Sequence, residues 1–381
     1  MNRGRVLCCV DEATGSLAGV RGLKAAGYEP WLALSHEHTY VAHSRASAGT
    51  VRLPDPTADP EAYSLQLSEA AASIEADVVL PFTEGTLQAL SGRDHLFGHV
   101  ALGMCPPDAV RRATDKGLLA ELCAQAGLET PPTVEVNAAT IGDRELQFPA
   151  VVKPRRSVTA HGATLRREHV LEVNDGSELR RFLAARPEET FFLQPRLEGT
   201  LAAICGVAWQ GKLVCASHQV SPRIWPTTYG ISSFARTVPA DDERETGTAR
   251  LLELVGWSGI FGVQFMLCDG RAHVIDLNPR IYGSAALAIA AGHNLPAIWT
   301  DLLLGHRPTV PAYRIGTHYR SEVSDLRAIL VEFRRGKRGA AIRGLLPRAN
   351  TVHAVFSLRD PGPGLEIVRK TLASALPRRH S

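Results

Sequence analysis

The order of apolar and polar residues in the first hundred positions predicts strands that are separated by helices. Three short runs, at residues 5–10, 30–35 and 76–81, are mostly apolar, as buried strands are. The stretches between them, including residues 60–75, have the Ala and Leu spacing of helices, and the first of them ends near Gly27. Strands that alternate with helices predict a parallel α/β sheet.

The pattern changes between about residue 133 and residue 280, where strand signals dominate and helix signals are few. This region is predicted to be α+β with antiparallel hairpins. The predicted strands lie at residues 149–153, 163–173, 190–195, 201–209, 212–220, 260–268 and 272–278, and the predicted helices at 176–186 and 241–256.

Prolines and a change of charge mark the boundaries between regions. Pro106 and Pro107 precede a predicted helix over residues 108–127, so we place the first boundary near residue 106. A helix of small residues is predicted at 284–291, and beyond His306 the chain becomes basic and mostly helical. Residues 307–381 carry 15 Lys and Arg against 5 Asp and Glu, which is typical of a solvated Arg-rich surface.

Composition narrows the classes of protein that the chain could represent. Of 42 basic residues only six are Lys, so a Lys in a sequence context that is typical of a binding pocket is a candidate functional residue. Seven Cys in no repeated CxxC arrangement favour reduced thiols in a cytoplasmic protein. Because no apolar stretch approaches the ~18 residues that cross a bilayer, we expect no membrane partner, and we expect no nucleic acid.

One predicted hairpin, at residues 262–280, carries a set of polar side chains with metal-binding chemistry. Asp-Gly at 269–270 between two alternating apolar runs predicts the turn. Asp276 and Asn278 then share a face, and the hairpin returns Gln264 to within a residue or two of them. Such oxygen ligands suit Mg²⁺, and Arg280 could reach phosphate oxygens as a bidentate donor. Spacing alone allows an ordinary hairpin with a polar exposed face equally well.

The same segment carries a resemblance to a known family. The run Val-Ile-Asp-Leu-Asn-Pro-Arg-Ile-Tyr-Gly-Ser at 274–284 resembles the metal-binding end of ATP-grasp ligases, where a strand carries (Glu/Asp)-x-Asn-Pro-Arg. Its Asn-Pro-Arg-x-x-Gly-Ser ending is similar to a branch of predicted ATP-dependent carboligases that contains amino-acid ligases. Gln264 matches the metal ligand of the carbamoyl-phosphate-synthetase-like branch. The resemblance implies that Gln264, Asp276 and Asn278 bind Mg²⁺ or Mn²⁺.

Two of the six lysines match the family's phosphate-binding positions. Lys116 opens a helical block that ends Gly-Leu-x-x-Pro at 127–131, and Lys153 lies in Pro-Ala-Val-Val-Lys-Pro at 149–154. The resemblance implies that both bind ATP phosphates, and that the loop 155–164 with Gly162 covers them. Either lysine alone would more often be a surface charge.

The segment Phe-Phe-Leu-Gln-Pro-Arg-Leu-Glu-Gly at 191–199 resembles the family's adenine-binding hinge. Gln194, Pro195 and Leu197 would then contact the nucleotide. The sequence departs from the family in two places: Pro195 stands for the hinge acid and lacks an N–H, and Leu201 stands where a ribose-binding Glu is usual. Glu198 is the candidate substitute for that Glu.

A further segment, residues 218–233, is similar to the family's acyl-phosphate site. Arg223 is the expected clamp for the γ-phosphate or a substrate carboxylate, beside Arg280. The other expected substrate residues are Glu84, Tyr229, Gly230, Ser232 and Ser284. The aromatic stretch with Trp225 could instead pack as a surface loop, and Glu84 could instead cap a helix.

The resemblance implies a domain order and an activity. An N-terminal α/β domain (1–106) would precede an ATP-grasp module with a small lobe (107–198) and a large lobe with the metal site (199–306), on which the basic segment (307–381) would pack. The implied enzyme is a ligase of the acid–amino-acid type that uses ATP and Mg²⁺ to join a carboxylate to an amine through an acylphosphate. Two alternatives stay open: a carboxyphosphate-forming carboxylase or carbamoyl-phosphate-type enzyme, and an ATP-binding protein without ligase activity. Partners would be small molecules, with a homodimer as the commonest oligomer.

Overall fold

The computed structural model describes residues 3–36, 39–142, 146–161, 164–167 and 170–375. Its first part is a five-stranded sheet flanked by helices. The elements in chain order are β1 (Arg5–Val10), α1 (Thr14–Ala25), β2 (Glu29–Leu34), β3 (Gly49–Arg52), α2 (Pro60–Ser73), β4 (Val78–Pro81), α3 (Glu84–Leu90) and β5 (Ala101–Leu102). The strand order is β3-β2-β1-β4-β5 and every pair is parallel, as the alternating pattern predicted.

The middle part of the chain forms two helices, a four-stranded sheet and a separate hairpin. Its elements are α4 (Pro107–Thr114), α5 (Lys116–Gln125), β6 (Val134–Val136), β7 (Ala150–Pro154), β8 (Val158–His161), β9 (Thr164–Arg167), β10 (Leu171–Val173), α6 (Gly176–Ala184) and β11 (Phe191–Pro195). The sheet order is β10-β7-β11-β6, and β8 pairs only with β9 among the described strands. Two predictions were wrong here: the helix over 108–127 is two helices, and the strand over 163–173 is β9 followed by β10.

The break between α4 and α5 has a local cause. Asp115 leaves the helical conformation, with φ −88° and ψ 104°, and its side chain accepts a hydrogen bond from Gly117 N. An Asp in this role satisfies a backbone N–H that a helix start leaves unpaired. Lys116 therefore stands at the beginning of a new helix.

The last part of the chain is built on a seven-stranded sheet, which we call the large sheet. Its elements are β12 (Thr200–Trp209), β13 (Lys212–Trp225), β14 (Ile231–Val238), α7 (Asp242–Val255), β15 (Gly259–Cys268), β16 (Arg271–Asn278), α8 (Ala285–Ala291), α9 (Leu295–Leu303), β17 (His318–Arg320), α10 (Glu322–Arg334), α11 (Arg338–Leu345), β18 (Thr351–His353) and α12 (Gly362–Ala375). The order is β16-β15-β12-β13-β14-β17-β18, antiparallel except for the last pair. The mixed α/β fold class is confirmed, although β14 was not predicted.

The basic C-terminal segment is more than the helical surface that its composition predicted. It adds β17 and β18 to the edge of the large sheet, with Tyr319 of β17 1% exposed. It also reaches the first sheet's surroundings, because Asp360 accepts hydrogen bonds from Ser44, Arg45 and Arg21. The segment therefore contacts both the large sheet and residues beside the first sheet.

A continuous apolar core joins the first sheet to the large sheet. It includes Val6 and Leu17 from the first part, Ile260 and Trp299 from the last part, and Tyr319 from the C-terminal segment. Burial of such apolar surface is the main force that holds these parts together. None of the described helices is long and apolar enough to cross a membrane.

Candidate active site

The hairpin of β15 and β16 places three oxygen-bearing side chains at neighbouring positions. Gln264 stands directly opposite Asp276, and Asn278 is two residues further along the same strand, opposite Gly262. All three side chains belong to half-buried residues. The turn is Asp269-Gly270, both with positive φ, as the sequence predicted for a tight hairpin. The register expected between Gln264 and Asp276 is therefore confirmed.

This donor set fits a hard divalent cation. A carboxylate and two amide oxygens are the ligands that Mg²⁺ or Mn²⁺ accepts, and few protein ligands are needed when phosphate oxygens supply the rest. In the described part of the chain no group of three or more His, Cys, Asp or Glu side chains is placed to hold a metal ion. The chemistry of Gln264, Asp276 and Asn278 thus fits a metal that is bound jointly with a phosphate ligand.

Both candidate phosphate lysines meet β16 beside Asp276. Lys116, at the start of α5, has its Nζ 3.9 Å from Asp276 Oδ1 and donates to Ser157 Oγ at 2.9 Å. Lys153, on β7, donates from Nζ to the carbonyl of Ile275 at 2.7 Å. Helix α5 and strand β7 thus bring two lysine side chains to neighbouring residues of β16.

The pKa of Lys153 is lowered to about 8. Burial is the largest cause, since it disfavours the charged form; the nearby Lys116 lowers the pKa further, and Asp276 opposes both effects. A lysine at this site therefore titrates close to neutral pH and gains from a polyanionic ligand.

Two neighbouring cavities flank the hairpin. The smaller, of about 180 Å³, lies between the four-stranded sheet and the large sheet. It contains Lys153 and Asp276, the hinge residues Gln194, Pro195 and Leu197, and also Leu201, Tyr229 and Gly230. Leu201 is buried, so its apolar side chain takes the place where the family's ribose-binding acid was expected.

Glu198 does not belong to this cavity. It is not among the described residues that line it, its side chain is 80% exposed, and it accepts a hydrogen bond from Arg196 at 2.6 Å. The structure therefore does not place the expected substitute for the ribose-binding Glu next to the nucleotide hinge. Gly162, the expected glycine of the covering loop, lies outside the described residues.

The larger cavity has a volume of about 590 Å³ and begins where the smaller one ends, because Gln264 and Ile231 line both. Asn278, Arg280, Ser232 and Ser284 lie on its walls, so with Gln264 five predicted residues are brought together there. Tyr229 and Gly230, expected in the same substrate site, line the smaller cavity instead. The predicted substrate residues are thus divided between the two spaces.

Arg280 lies on the wall of the larger cavity, two residues after the end of β16. Its Nη1 donates to Ile281 O at 3.0 Å, while its Nε is buried without a hydrogen-bond partner, 3.9 Å from Glu84 Oε2. A buried donor of this kind is costly unless a ligand satisfies it. Glu84 is itself buried in the first turn of α3, whose cap is Thr83, so Glu84 is not the helix cap.

Arg223 is engaged elsewhere, which corrects its expected place in the cleft. Its guanidinium makes a bidentate pair with Asp325 of α10, at 2.6 and 2.9 Å, and lies over the ring of Phe234. It is not among the described residues that line either cavity. The reason is the C-terminal segment, which supplies a buried carboxylate that the local sequence around Arg223 does not reveal.

Several cavity residues were missed by the sequence reasoning. Gln219 exchanges hydrogen bonds with Ser284, at 2.9 and 3.3 Å, and fixes its hydroxyl. Other missed residues lie on the larger cavity's wall: Asp11, Glu12, Thr14, His36, Tyr319, Ser321 and Ser324. For Asp11 to Thr14 a signal existed, since they follow a parallel strand's carboxyl end, where such sheets place ligands. Tyr319 had no local signal.

Parts of the chain are similar to known proteins. Residues 187–324 match the model of a family described as "ATP-grasp in the biosynthetic pathway with Ter operon". The carbamoyl phosphate synthase large chain of Myxococcus xanthus is 26% identical over 215 residues, which cover 52% of this chain and 19% of that one. The chain therefore matches only about a fifth of the length of that curated relative.

Two solved structures share the architecture. The L-amino acid ligase of Bacillus licheniformis is 18% identical, with a TM-score of 0.59 over 79% of this chain and 74% of that one. N5-carboxyaminoimidazole synthetase of Staphylococcus aureus, in complex with ADP, is 14% identical, with a TM-score of 0.61 over 83% of this chain and 81% of that one. At these identities the likeness shows the fold. Together, the family model over residues 187–324 and these structures show that the chain has the fold of ATP-grasp enzymes.

Proposed function

We propose that the chain is an ATP-dependent carboxylate–amine ligase that works through an acylphosphate. The observation that carries the proposal is that Lys116 and Lys153 meet β16 at Asp276 and Ile275, while Arg280 follows the end of the same strand on the wall of the larger cavity. One space accepts the nucleotide base, and the other is left for the substrates. This arrangement is what transfer from a nucleotide to a second molecule requires.

The reaction has two steps. A carboxylate oxygen of the acid attacks the γ-phosphorus of ATP, a new P–O bond forms, and the bond to the β-phosphate oxygen breaks, so that ADP leaves. The amine nitrogen then attacks the acyl carbon; the C–N bond forms, the C–O bond to phosphate breaks, and phosphate leaves with that electron pair. The amine gives up one proton. Both steps depend mainly on positioning and charge neutralisation.

Each of these groups has a part in this scheme. The walls of the smaller cavity, with Gln194, Pro195 and Leu197, hold the base. Lys116 and Lys153 neutralise phosphate oxygens, and the unpartnered Nε of Arg280 donates to the transferring phosphoryl group or to the oxyanion that forms at the acyl carbon. Gln264, Asp276 and Asn278 would hold Mg²⁺ or Mn²⁺, which neutralises phosphate charge when bound. Arg223 serves the fold rather than the reaction in this scheme.

The same proposal assigns the parts of the chain. The first sheet region (1–106), the large-sheet region (199–306) and the C-terminal segment (307–381) line the substrate cavity, and the small lobe (107–198) brings Lys116 and Lys153. The substrates are small molecules, an amino acid or short peptide acid and an amine. We place the three boundaries between the four regions where the sequence predicted them.

The second candidate function is a carboxyphosphate-forming carboxylase. It is supported by the likeness to N5-carboxyaminoimidazole synthetase, whose TM-score of 0.61 is close to the 0.59 of the amino-acid ligase. Bicarbonate would then replace the organic acid. An ATP-binding protein without ligase activity is the remaining outcome.

Trapping with hydroxylamine separates these functions. The chain is incubated with ATP, Mg²⁺ and hydroxylamine against a panel of carboxylic acids, and hydroxamate and ADP are measured; Asp276→Asn is the inactive control. Acid-dependent hydroxamate supports the ligase. ADP release that depends on bicarbonate alone supports the carboxylase, and ATP binding with background ADP release across the panel removes both.

A further inference from the structure

An exposed apolar face lies on the C-terminal segment, the part of the chain where Lys and Arg outnumber Asp and Glu. Most of the large apolar side chains that are exposed in the described part of the chain belong to this segment. Four of them lie on α10, and each is between 45% and 51% exposed: Val323, Leu326, Leu330 and Phe333. We call these four residues the α10 stripe. Single exposed apolar side chains are ordinary on a protein surface, whereas a contiguous group of them indicates an interaction site.

The spacing of the α10 stripe is that of a seam between two helices. Successive members are three, four and three residues apart, which are the a and d positions of a heptad. A stripe that is confined to these positions is narrow and fits one partner helix. It is separate from the face that holds α10 on the protein, where Asp325, Ala328 and Ile329 are buried. The α10 stripe is therefore an apolar face that the described part of the fold leaves exposed.

Helix α10 is held in place behind the stripe. Asp325 pairs with Arg223 at 2.6 Å and with Arg320 at 3.1 Å. Helix α11 packs closely beside it, since a Cβ on Gly344 would lie 3.1 Å from the side chain of Ile329. A partner therefore meets a surface that is already ordered, and less conformational freedom is lost when it binds.

Helix α11 continues the apolar surface on one side of the α10 stripe. Its Arg338 lies over the ring of Phe333, with 5.7 Å between the guanidinium carbon and the ring centre. Ile342 comes one helical turn after Arg338, on the same face of α11, and is exposed as well. A helix that packs on the stripe would therefore contact both α10 and α11.

The charges on the other side of the stripe indicate which kind of helix it fits. Arg327 and Arg334 follow Leu326 and Phe333 by one residue, at the e positions of the heptad, and both are exposed. Within the described residues neither arginine has an ion-pair partner. A second copy of α10 would offer them further arginines or the buried Ile329, which occupies a g position, but no carboxylate. Because opposite charges at the e and g positions set partner choice in such seams, an acidic helix is favoured.

We propose that the α10 stripe binds an amphipathic helix of a second protein, which has apolar residues at its a and d positions and Glu or Asp beside them. Burial of the apolar seam supplies the affinity, and the acidic side chains select the partner. The inference goes beyond the proposed ligase function and does not depend on it, since the stripe shares no residue with the hairpin of β15 and β16. The partner would be bound beside the larger cavity, because Ser324, next to Val323, lines that cavity.

Binding of designed peptides to the full chain tests the inference. One fluorescent three-heptad peptide carries Leu at positions a and d and Glu at e and g, and a second peptide carries Lys in place of Glu. We expect anisotropy titrations at low salt to show at least about tenfold tighter binding of the Glu peptide. Leu330→Gln should weaken that binding about tenfold or more, because it removes a Leu that the seam buries. Arg327→Gln combined with Arg334→Gln should reduce the preference for the Glu peptide to less than about threefold.

The matched control is Leu65→Gln, because Leu65 of α2 is 45% exposed, as Leu330 is, but lies outside the C-terminal segment. This variant should bind the Glu peptide as the unchanged chain does, and urea unfolding shows that both variants are folded. Equal binding of the two peptides, or equal effects of the two Leu variants, would overturn the inference.

Two other occupants of the stripe would also overturn it. Sedimentation equilibrium of the chain without peptide shows whether it is a dimer that Leu330→Gln converts to a monomer, in which case a second copy covers the stripe. Vesicles that contain phosphatidylserine test a lipid surface. If they bind the chain but not Leu330→Gln, and the Glu peptide does not bind, the stripe faces a membrane instead of a protein.

Discussion

The hairpin of β15 and β16 and the C-terminal segment (307–381) differ in how their sequences relate to their structures. In the hairpin, Gln264 and Asp276 face each other as their spacing predicted. In the C-terminal segment, a basic stretch predicted as helical surface supplies two strands of the large sheet and, through Asp325 and Tyr319, partners for Arg223 and Gly283. Chemistry that depends on local spacing could be derived from the chain, and chemistry that depends on distant contacts could not.

Among the variants that test this difference, the largest expected effect is on ADP release by a variant of the hairpin. Asp276→Asn removes the one carboxylate of the metal-binding set and the partner of Lys116, so acid-dependent ADP release should fall by about 100- to 1,000-fold, as when an electrostatic group is removed from an active site. Asp269→Asn, in the turn of the same hairpin, is the matched control, because Asn tolerates the positive φ found there. ADP release is measured for both variants. Equal activities would remove the metal assignment.

In the C-terminal segment the largest expected effect is on stability. Asp325 is 1% exposed and neutralises Arg223 and Arg320, so Asp325→Ala leaves two guanidinium groups without their carboxylate. Breaking a buried pair by removing one partner costs about 3–5 kcal/mol, which urea unfolding would measure. Glu332→Ala, on the same helix, should change the free energy of unfolding by less than about 0.5 kcal/mol. A stable Asp325→Ala protein would contradict the structural role given to Arg223.

These two residues also show why the sequence predicted one region and not the other. Strand alternation, the Asp-Gly turn and each family motif span at most about twenty residues. The hairpin and the two lysine motifs could therefore be predicted from local sequence. Arg223 and Asp325 are 102 residues apart, and only packing brings them together. Arg223 was therefore expected in the cleft because its local motif fits, while its actual partner lies in a segment that resembles a surface helix.

The predicted ends of helices and strands also depend on contacts that the local pattern does not show. The helix over 108–127 was predicted as one because its composition is continuous, and Asp115 divides it by capping α5 with its side chain. Strands β17 and β18 have three residues each, too short for a period to be recognised, and they are held by pairing with β14 and with each other. Element type could be predicted where a pattern is long, and short edge strands could not.

The next largest expected effect concerns the charge of Lys153, which contacts the hairpin. Because the pKa of Lys153 is lowered to about 8, the folded protein loses this proton at lower pH than the unfolded chain does. Between pH 8 and about 10.5 the unfolded state binds more protons, so stability relative to Lys153→Met should rise with pH by about 1–3 kcal/mol. Urea unfolding of both proteins at pH 7.5, 9 and 10.5 gives the difference. A difference that is constant with pH would contradict the burial of the charged lysine.

The smallest expected effect lies where α12 of the C-terminal segment meets the loop after β1. The Glu12 and Lys370 side chains are 52% and 35% exposed and pair at 2.7 Å, so their direct coupling should be below about 1 kcal/mol and should fall further in 0.5 M salt. A double-mutant cycle of Glu12→Gln and Lys370→Met, followed by urea unfolding at both salt concentrations, measures this coupling. A coupling above about 1 kcal/mol that salt leaves unchanged would mean that α12 is bound to the first loop as firmly as Asp325 binds Arg223. The contrast between a solvated contact and a buried one within the C-terminal segment would then be lost.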